Sequence, residues 1–314
     1  WGKMEVYKSI NNIPLLPESV VTIGTFDGCH RGHQEVIKKV VSTSQSINKK
    51  SVLITFDPHP RHILQLDNKL PILMHVSKKL EILKSLNINV VVLIPFDIEF
   101  SKVKAKDFLN NIVVKHFNPS RIIIGYDHHF GFEREGSPMF LTNYGKEKGF
   151  NVDVLDPITD ENITISSTHI RKLIKEGFVR RASFELGWVF GFESKVIEGA
   201  GRGKELGFPT ANFVPVEKNQ LVPANGVYFI RGRINGNNLY GMCNLGIRPT
   251  FNETDFVMEV HFFDLMSNDI YGENITVEFL ERIRDEIKFS NPQKLIEQLN
   301  KDKQNCMSLM QKYN

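Results

Sequence analysis

Thr22-Ile-Gly-Thr-Phe-Asp-Gly-Cys-His-Arg-Gly-His33 runs off an apolar stretch, passes two glycines and enters the first turn of a helix. Strand, glycine turn and helix start, in that order, bring backbone N–H groups and a helix N-terminus to one spot, which favours bound phosphate. His30 and His33, three residues apart, fall on the same side of that turn. There they can donate hydrogen bonds to a triphosphate and to the charge that develops as pyrophosphate leaves. Two other readings stay open at this point. The pair could hold zinc, although no nearby Cys or His offers the usual closed-site spacing, or it could be two structural histidines.

Outward from this stretch, Ser51–Thr55, Val90–Ile94, Arg121–Ile124 and Val152–Leu155 are β-rich runs, most of them continuously apolar. Between them lie stripes at helical spacing: Val36, Ile37, Val40 and Val41; Leu80, Leu83 and Leu86; Phe108, Leu109, Ile112, Val113, His116 and Phe117. Buried strands separated by helices predict an α/β domain with a parallel sheet covered on both faces. Past Gly187, a helix stop, the pattern changes to period two. Trp188, Phe190, Phe192, Ser194 and Val196 share one face, as do Phe256, Met258, Val260 and Phe262, and Ile275, Val277 and Phe279. With turns at Asn225-Gly226 and Asn235-Gly236, this predicts an antiparallel β-barrel or sandwich. A last helix starts at Asn291-Pro292. The expected division is residues 4–185 and 186–314, in keeping with a chain too long for one core.

The bulk composition narrows the classes. Of the 314 residues, 41% are hydrophobic and 24% charged, and the net charge is +3. That suits anionic small ligands and argues against a nucleic-acid surface. Three widely spaced cysteines read as reduced thiols, and the N-terminus lacks a signal-peptide profile, so a cytoplasmic enzyme without a membrane span is expected.

The His motif resembles the H-x-G-H signature of the nucleotidyltransferase superfamily, and with Phe-Asp-Gly before it looks like bacterial FAD synthetases. Phe56-Asp-Pro-His-Pro60, Gly125-Tyr-Asp-His-His-Phe-Gly131 and Ile165-Ser-Ser-Thr-His-Ile-Arg171 follow in that family's order. Thr25 and Asp127 stand where the family often has Asn. The resemblance implies a Rossmann-like nucleotidyltransferase domain that adenylylates FMN. It implies ATP contacts at Gly24, Thr25, Phe26, Asp27, Gly32, Ser167 and Thr168, with His30, His33 and Arg171 catalytic. Flavin contacts are implied at Asp57, His59, Pro60, Asp127 and Phe130.

In the second half, Gly199-Ala-Gly-Arg-Gly-Lys-Glu-Leu-Gly-Phe-Pro-Thr-Ala-Asn212 has alternating glycines but no βαβ context, so it is not a dinucleotide fingerprint. A glycine loop before a rigid Phe-Pro-Thr turn still suits phosphate covering, and an ordinary solvent loop is the plain alternative. The segment resembles the Pro-Thr-Ala-Asn motif of riboflavin kinases. Asn244-Leu-Gly-Ile-Arg-Pro-Thr250, Glu259-Val-His261, Ile270–Leu280 and Arg284-Asp-Glu286 recur there in order. The resemblance, which covers nearly the whole chain, implies a six-stranded antiparallel barrel with a terminal helix. It implies ATP contacts at Gly201, Arg202, Gly203 and Lys204, Mg²⁺ ligands at Thr210 and Asn212, and flavin contacts at Asn244, Arg248, Arg284 and Glu286. Glu278, opposite Ile275, Val277 and Phe279 on its strand, is expected to accept the ribityl hydroxyl proton as general base. The expected substrates are riboflavin, FMN and ATP. A nucleotidyltransferase with another acceptor, or a nucleotide- or RNA-binding protein, are the rival readings.

Overall fold

The computed structural model describes residues 3–64, 70–198, 207–234, 236–249, 254–264 and 270–313, with the backbone alone for 247–249 and 254–256. The chain divides into two compact units, residues 1–70 with 74–167, and residues 71–73 with 168–314.

In the first unit, β1 (Glu5–Tyr7), β2 (Ser19–Ile23), β3 (Lys50–Asp57), β4 (Val90–Pro95), β5 (Pro119–Gly125) and β6 (Asn151–Leu155) form a six-stranded sheet ordered β1-β4-β3-β2-β5-β6. Every pairing in it is parallel, as the apolar strands separated by helices predicted. β1 has three half-buried residues, too few for any periodicity to announce it. All five residues of β2 are buried, because helices cover both faces of a parallel sheet. The helix Arg31–Ser46 packs through Val36, Ile37, Val40 and Val41, the predicted face. From β2 the chain builds toward β3 and β4, then returns to add β5 on the other side. The crevice at such a reversal, beyond the strand C-termini, is where open α/β sheets bind ligands. The His motif leaves β2 at that place. A small hairpin, β7 (Thr159–Asp160) with β8 (Ile163–Thr164), follows the sheet.

In the second unit, β9 (Gly191–Ile197), β10 (Ala211–Pro215), β11 (Gly226–Ile234), β12 (Asn237–Pro249), β13 (Thr254–Phe262) and β14 (Asn274–Arg284) close into an antiparallel barrel ordered β10-β13-β12-β11-β14-β9. Phe192, Ser194 and Val196 point inward while Glu193, Lys195 and Ile197 are exposed, so period two holds over β9. Trp188, expected on the same face, precedes the strand, which begins at Gly191. Phe190, Phe192 and Phe279 pack together inside, as do Phe213 and Phe262. Each such ring contributes about 1.5–3 kcal/mol on full burial. The helix Pro292–Met310, capped by the Asn291 side chain, lies on the barrel's outer surface. Its Cys306 joins Phe208, Phe229, Met242 and Leu280 in a second apolar cluster there.

Candidate functional sites

In the first unit, the turn from Gly24 to His30 is forced into unusual backbone angles. Phe26, Gly28 and Cys29 all have positive φ, at 46°, 71° and 40°. For the two side-chain-bearing residues this costs roughly 1–2 kcal/mol each, so contacts must hold the turn. Three carbonyls are held by side chains. Thr25 O accepts from Lys79 Nζ (2.8 Å) and Thr55 Oγ1 (3.1 Å). Asp27 O accepts from Ser167 Oγ (2.8 Å), and Cys29 O from Gln34 Nε2 (2.8 Å). With these carbonyls tied back, the turn leads into the N-terminus of the helix Arg31–Ser46, a favourable place for an anion.

His30 caps the helix Arg31–Ser46 through Nδ1, which accepts from the His33 N–H at 3.4 Å. That bond places the ring proton of neutral His30 on Nε2. The two imidazoles stack at 3.7 Å between centroids, and Phe26 meets His33 edge-on at 5.4 Å. Burial drives the His30 pKa down to about 4 and that of His33 well below the ordinary histidine value. Both rings are therefore neutral near pH 7 and act as hydrogen-bond donors, not as cations. Among the described residues, no group of three or more His, Cys, Asp or Glu is placed to hold a metal.

The other expected residues of this unit divide. Asp27 Oδ2 lies 3.8 Å from His59 Nε2, and His59 Nδ1 caps the short helix Pro60–Ile63. Asp57, His59 and Pro60 thus sit at the C-terminal end of β3 beside the His motif. Asp127 is near enough for its charge to act on His30. Phe130 sits differently from the others. Its ring is buried in the sheet's core against Phe108 and stacks on His128, which supports the loop. Ser167 anchors the His-motif turn through Asp27. Thr168 and Arg171 follow on the helix Ser167–Lys175, which groups with the second unit, where buried Arg171 donates Nε to Pro71 O at 3.0 Å. Lys79 escaped the sequence reading because it sits within an ordinary amphipathic helix, Val76–Ser85. Only the tertiary structure turns it inward.

In the second unit, register decides the matter. Asn212 of β10 pairs directly with Glu259 of β13, which pairs on its other side with Asn244 of β12. Residues directly opposite in antiparallel strands share a face, with Cβ atoms about 4.5–5.5 Å apart. Asn212, Glu259 and Asn244 therefore make one row across the barrel's outer surface. Glu286 comes to the same face, because a Cβ on Gly246 would meet its Oε1. Pro209, just before Thr210, is clamped by His261, whose Nδ1 donates to the Pro209 carbonyl at 2.8 Å. His261 Nε2 is left buried without a hydrogen-bond partner among the described residues.

Glu278 does not belong to this row, and its position weighs against the expected role as general base. Along β9, Asn212 pairs with Ile197 and Glu278 with Gly191, six residues or about 20 Å apart at the rise of a strand. In the closed order, β14 is three strands from β13 in either direction. Glu278 is only 4% exposed and is held by Arg231 Nε at 2.6 Å and Arg233 Nη2 at 3.2 Å. The Arg284 guanidinium forks onto buried Asp302 of the terminal helix at 2.8–3.1 Å. The expected contacts at Gly201, Arg202, Gly203 and Lys204, and the side chain of Arg248, lie outside the described residues.

Comparison with known proteins adds to this geometry. Residues 13–169 match the family model described as FAD synthetase, and residues 186–310 the model described as riboflavin kinase. A bifunctional riboflavin kinase/FMN adenylyltransferase of Buchnera aphidicola is 34% identical over 99% of this chain and 98% of its own length. Proteins of the same description from Listeria monocytogenes and Escherichia coli K12 are 32% and 31% identical, with 93% and 95% of this chain and 93% and 96% of their lengths covered. A Streptococcus pneumoniae crystal structure described as a macrolide-efflux protein superimposes with a TM-score of 0.87 at 30% identity, covering 96% of this chain and 98% of its own. Among the described residues, no helix is long and apolar enough to cross a membrane.

Proposed function

The chain belongs to the bifunctional riboflavin kinase/FMN adenylyltransferase family, and from that premise we propose how its two reactions are divided among its residues. It is an enzyme of flavin biosynthesis that uses ATP both to phosphorylate riboflavin and to adenylylate FMN. We assign adenylylation to residues 4–185 and phosphorylation to residues 186–314.

For the kinase step, the row Asn212–Glu259–Asn244 carries the assignment. Glu259 is the general base that takes the proton of the attacking ribityl hydroxyl, since its carboxylate is the one beside Asn212. Thr210 and Asn212 offer hard, neutral oxygens next to that carboxylate, a donor set that fits Mg²⁺ arriving with ATP phosphates. Such an ion would spread the charge of the transferring phosphoryl group. His261 keeps Thr210 in place through the Pro209 carbonyl. Asn244 and Glu286 orient the flavin from the same face.

For the adenylyl step, the FMN phosphate attacks the α-phosphorus of ATP and pyrophosphate leaves. The N-terminus of the helix Arg31–Ser46 and the neutral donors of His30 and His33 hold the phosphate chain. Ser167 stabilises the departing pyrophosphate, and the β3 end at Asp57, His59 and Pro60, with Asp127, contacts the flavin. Both reactions are in-line displacements driven by positioning and charge stabilisation, with no covalent enzyme intermediate. Three buried free cysteines suit work in a reducing cytoplasm. Purified protein incubated with riboflavin, Mg²⁺ and ATP should yield FMN first and FAD later on chromatography. Any other adenylylated product, or no FMN, would sink the reading.

A further inference from the structure

Behind the His-motif turn, the helix Val76–Ser85 sends one charged side chain into the protein. Lys79 is 9% exposed, and its ammonium donates to Thr25 O at 2.8 Å and to Thr55 Oγ1 at 3.4 Å. Thr55 donates to the same carbonyl at 3.1 Å, so a neutral hydroxyl already satisfies one lone pair of that oxygen. A second donor carrying a full charge exceeds what the turn needs for hydrogen bonding alone.

Charge gives it a purpose. Buried charges persist where an opposite charge compensates them. Asp27 and Asp57 attract Lys79, yet burial outweighs them and leaves its pKa lowered. The compensation within the protein is therefore incomplete. The two histidines in front of the turn are neutral, so they bring hydrogen bonds but no fixed positive charge. The ligand chemistry that would complete the balance is a polyanion seated on the turn, such as the phosphate chain of ATP.

We propose that Lys79 is a positioning residue of the adenylyl-transfer site, whose ammonium holds the Thr25 carbonyl back and supplies the positive charge behind the phosphate-binding amides. The proposal rests on the reading of this unit as the adenylyltransferase. It predicts a selective defect. Lys79→Gln keeps a hydrogen-bond donor but loses the charge. It should raise the KM for ATP in FMN adenylylation about tenfold or more and lower kcat/KM about a hundredfold, a loss typical of removing a preorganised charge-stabilising group. The KM for FMN and the rate of riboflavin phosphorylation should stay unchanged, the latter serving as an internal control for folding. Lys79→Arg, which keeps the charge, should recover most of the ATP affinity.

An unchanged ATP KM in Lys79→Gln would overturn the proposal, and so would equal loss of both activities, which marks a merely structural residue. If Lys79→Gln does not fold, the unaltered chain decides. The Cε signal of Lys79 in a carbon-13 NMR spectrum, assigned by its loss in Lys79→Arg, must shift on adding a non-hydrolysable ATP analogue. No shift overturns the proposal. Absence of adenylylation in the unaltered chain would instead show that the functional reading itself fails.

Discussion

At the residue scale, two glutamates of one barrel part company through their neighbours. Glu278 is enclosed by Arg231 and Arg233, so its removal leaves guanidiniums without their partner. Glu278→Gln should lower stability by about 3 kcal/mol, the low end for breaking a buried ion pair. Riboflavin phosphorylation measured below the melting transition should stay near normal, and a kcat loss of a hundredfold there would restore Glu278 as the base. Histidines supply a second prediction. His30 and His128 are each lowered by burial to about 4, and His33 well below its ordinary value. As pH falls below 6.5 the unfolded chain binds protons that the folded one refuses, so stability is full above that value and is lost toward pH 4. The loss is at most about 1.4 kcal/mol per histidine per pH unit. Calorimetry should show the transition of the first unit moving down between about pH 7 and pH 5, and moving less in His128→Asn. A transition that does not move would contradict the burial of these rings.

At the element scale, the barrel closes where β9 meets β14, and Gly191 sits at that seam. A Cβ there would lie 2.4 Å from Val277 O and 2.8 Å from Glu278 Cα, so Gly191→Ala must push two strands apart, at a cost of about 1–3 kcal/mol. On warming, this variant should lose riboflavin phosphorylation before adenylylation, and parallel loss would contradict the independent cores. Elements were the most legible level in the sequence. Continuous apolar runs marked β2 through β5 because both sheet faces are covered, and alternation marked β9 because only one face of a barrel strand is inside. What stayed hidden follows from the same physics. β1 is too short to show a period, and the inward turn of Lys79 is a tertiary fact that no helical stripe records. The pairing of Asn212 with Glu259 is a register between strands far apart in sequence. Without it, a glutamate on an alternating strand such as Glu278 looks as suitable as Glu259.

At the scale of the whole molecule, the proposed reading gives one chain two unrelated solutions to phosphate chemistry. The parallel sheet offers amides and neutral imidazoles at its topological reversal, while the barrel offers a carboxylate and two side-chain amides in a row on its outer surface. The motif series is what proposed this division from sequence, since each half carries its own ordered set. Choosing Glu259 as the proposed base of the second half required the barrel's register. Because the two reactions rest on separate side chains, a single substitution should silence one and spare the other. Glu259→Gln measures that directly, with FMN formation from riboflavin and FAD formation from supplied FMN followed in the same preparation. The expected result is loss of riboflavin phosphorylation by at least about a hundredfold, the scale of general-base catalysis, with adenylylation at the rate of the unaltered enzyme. FMN formation that persists, or two activities that fall together, would contradict it.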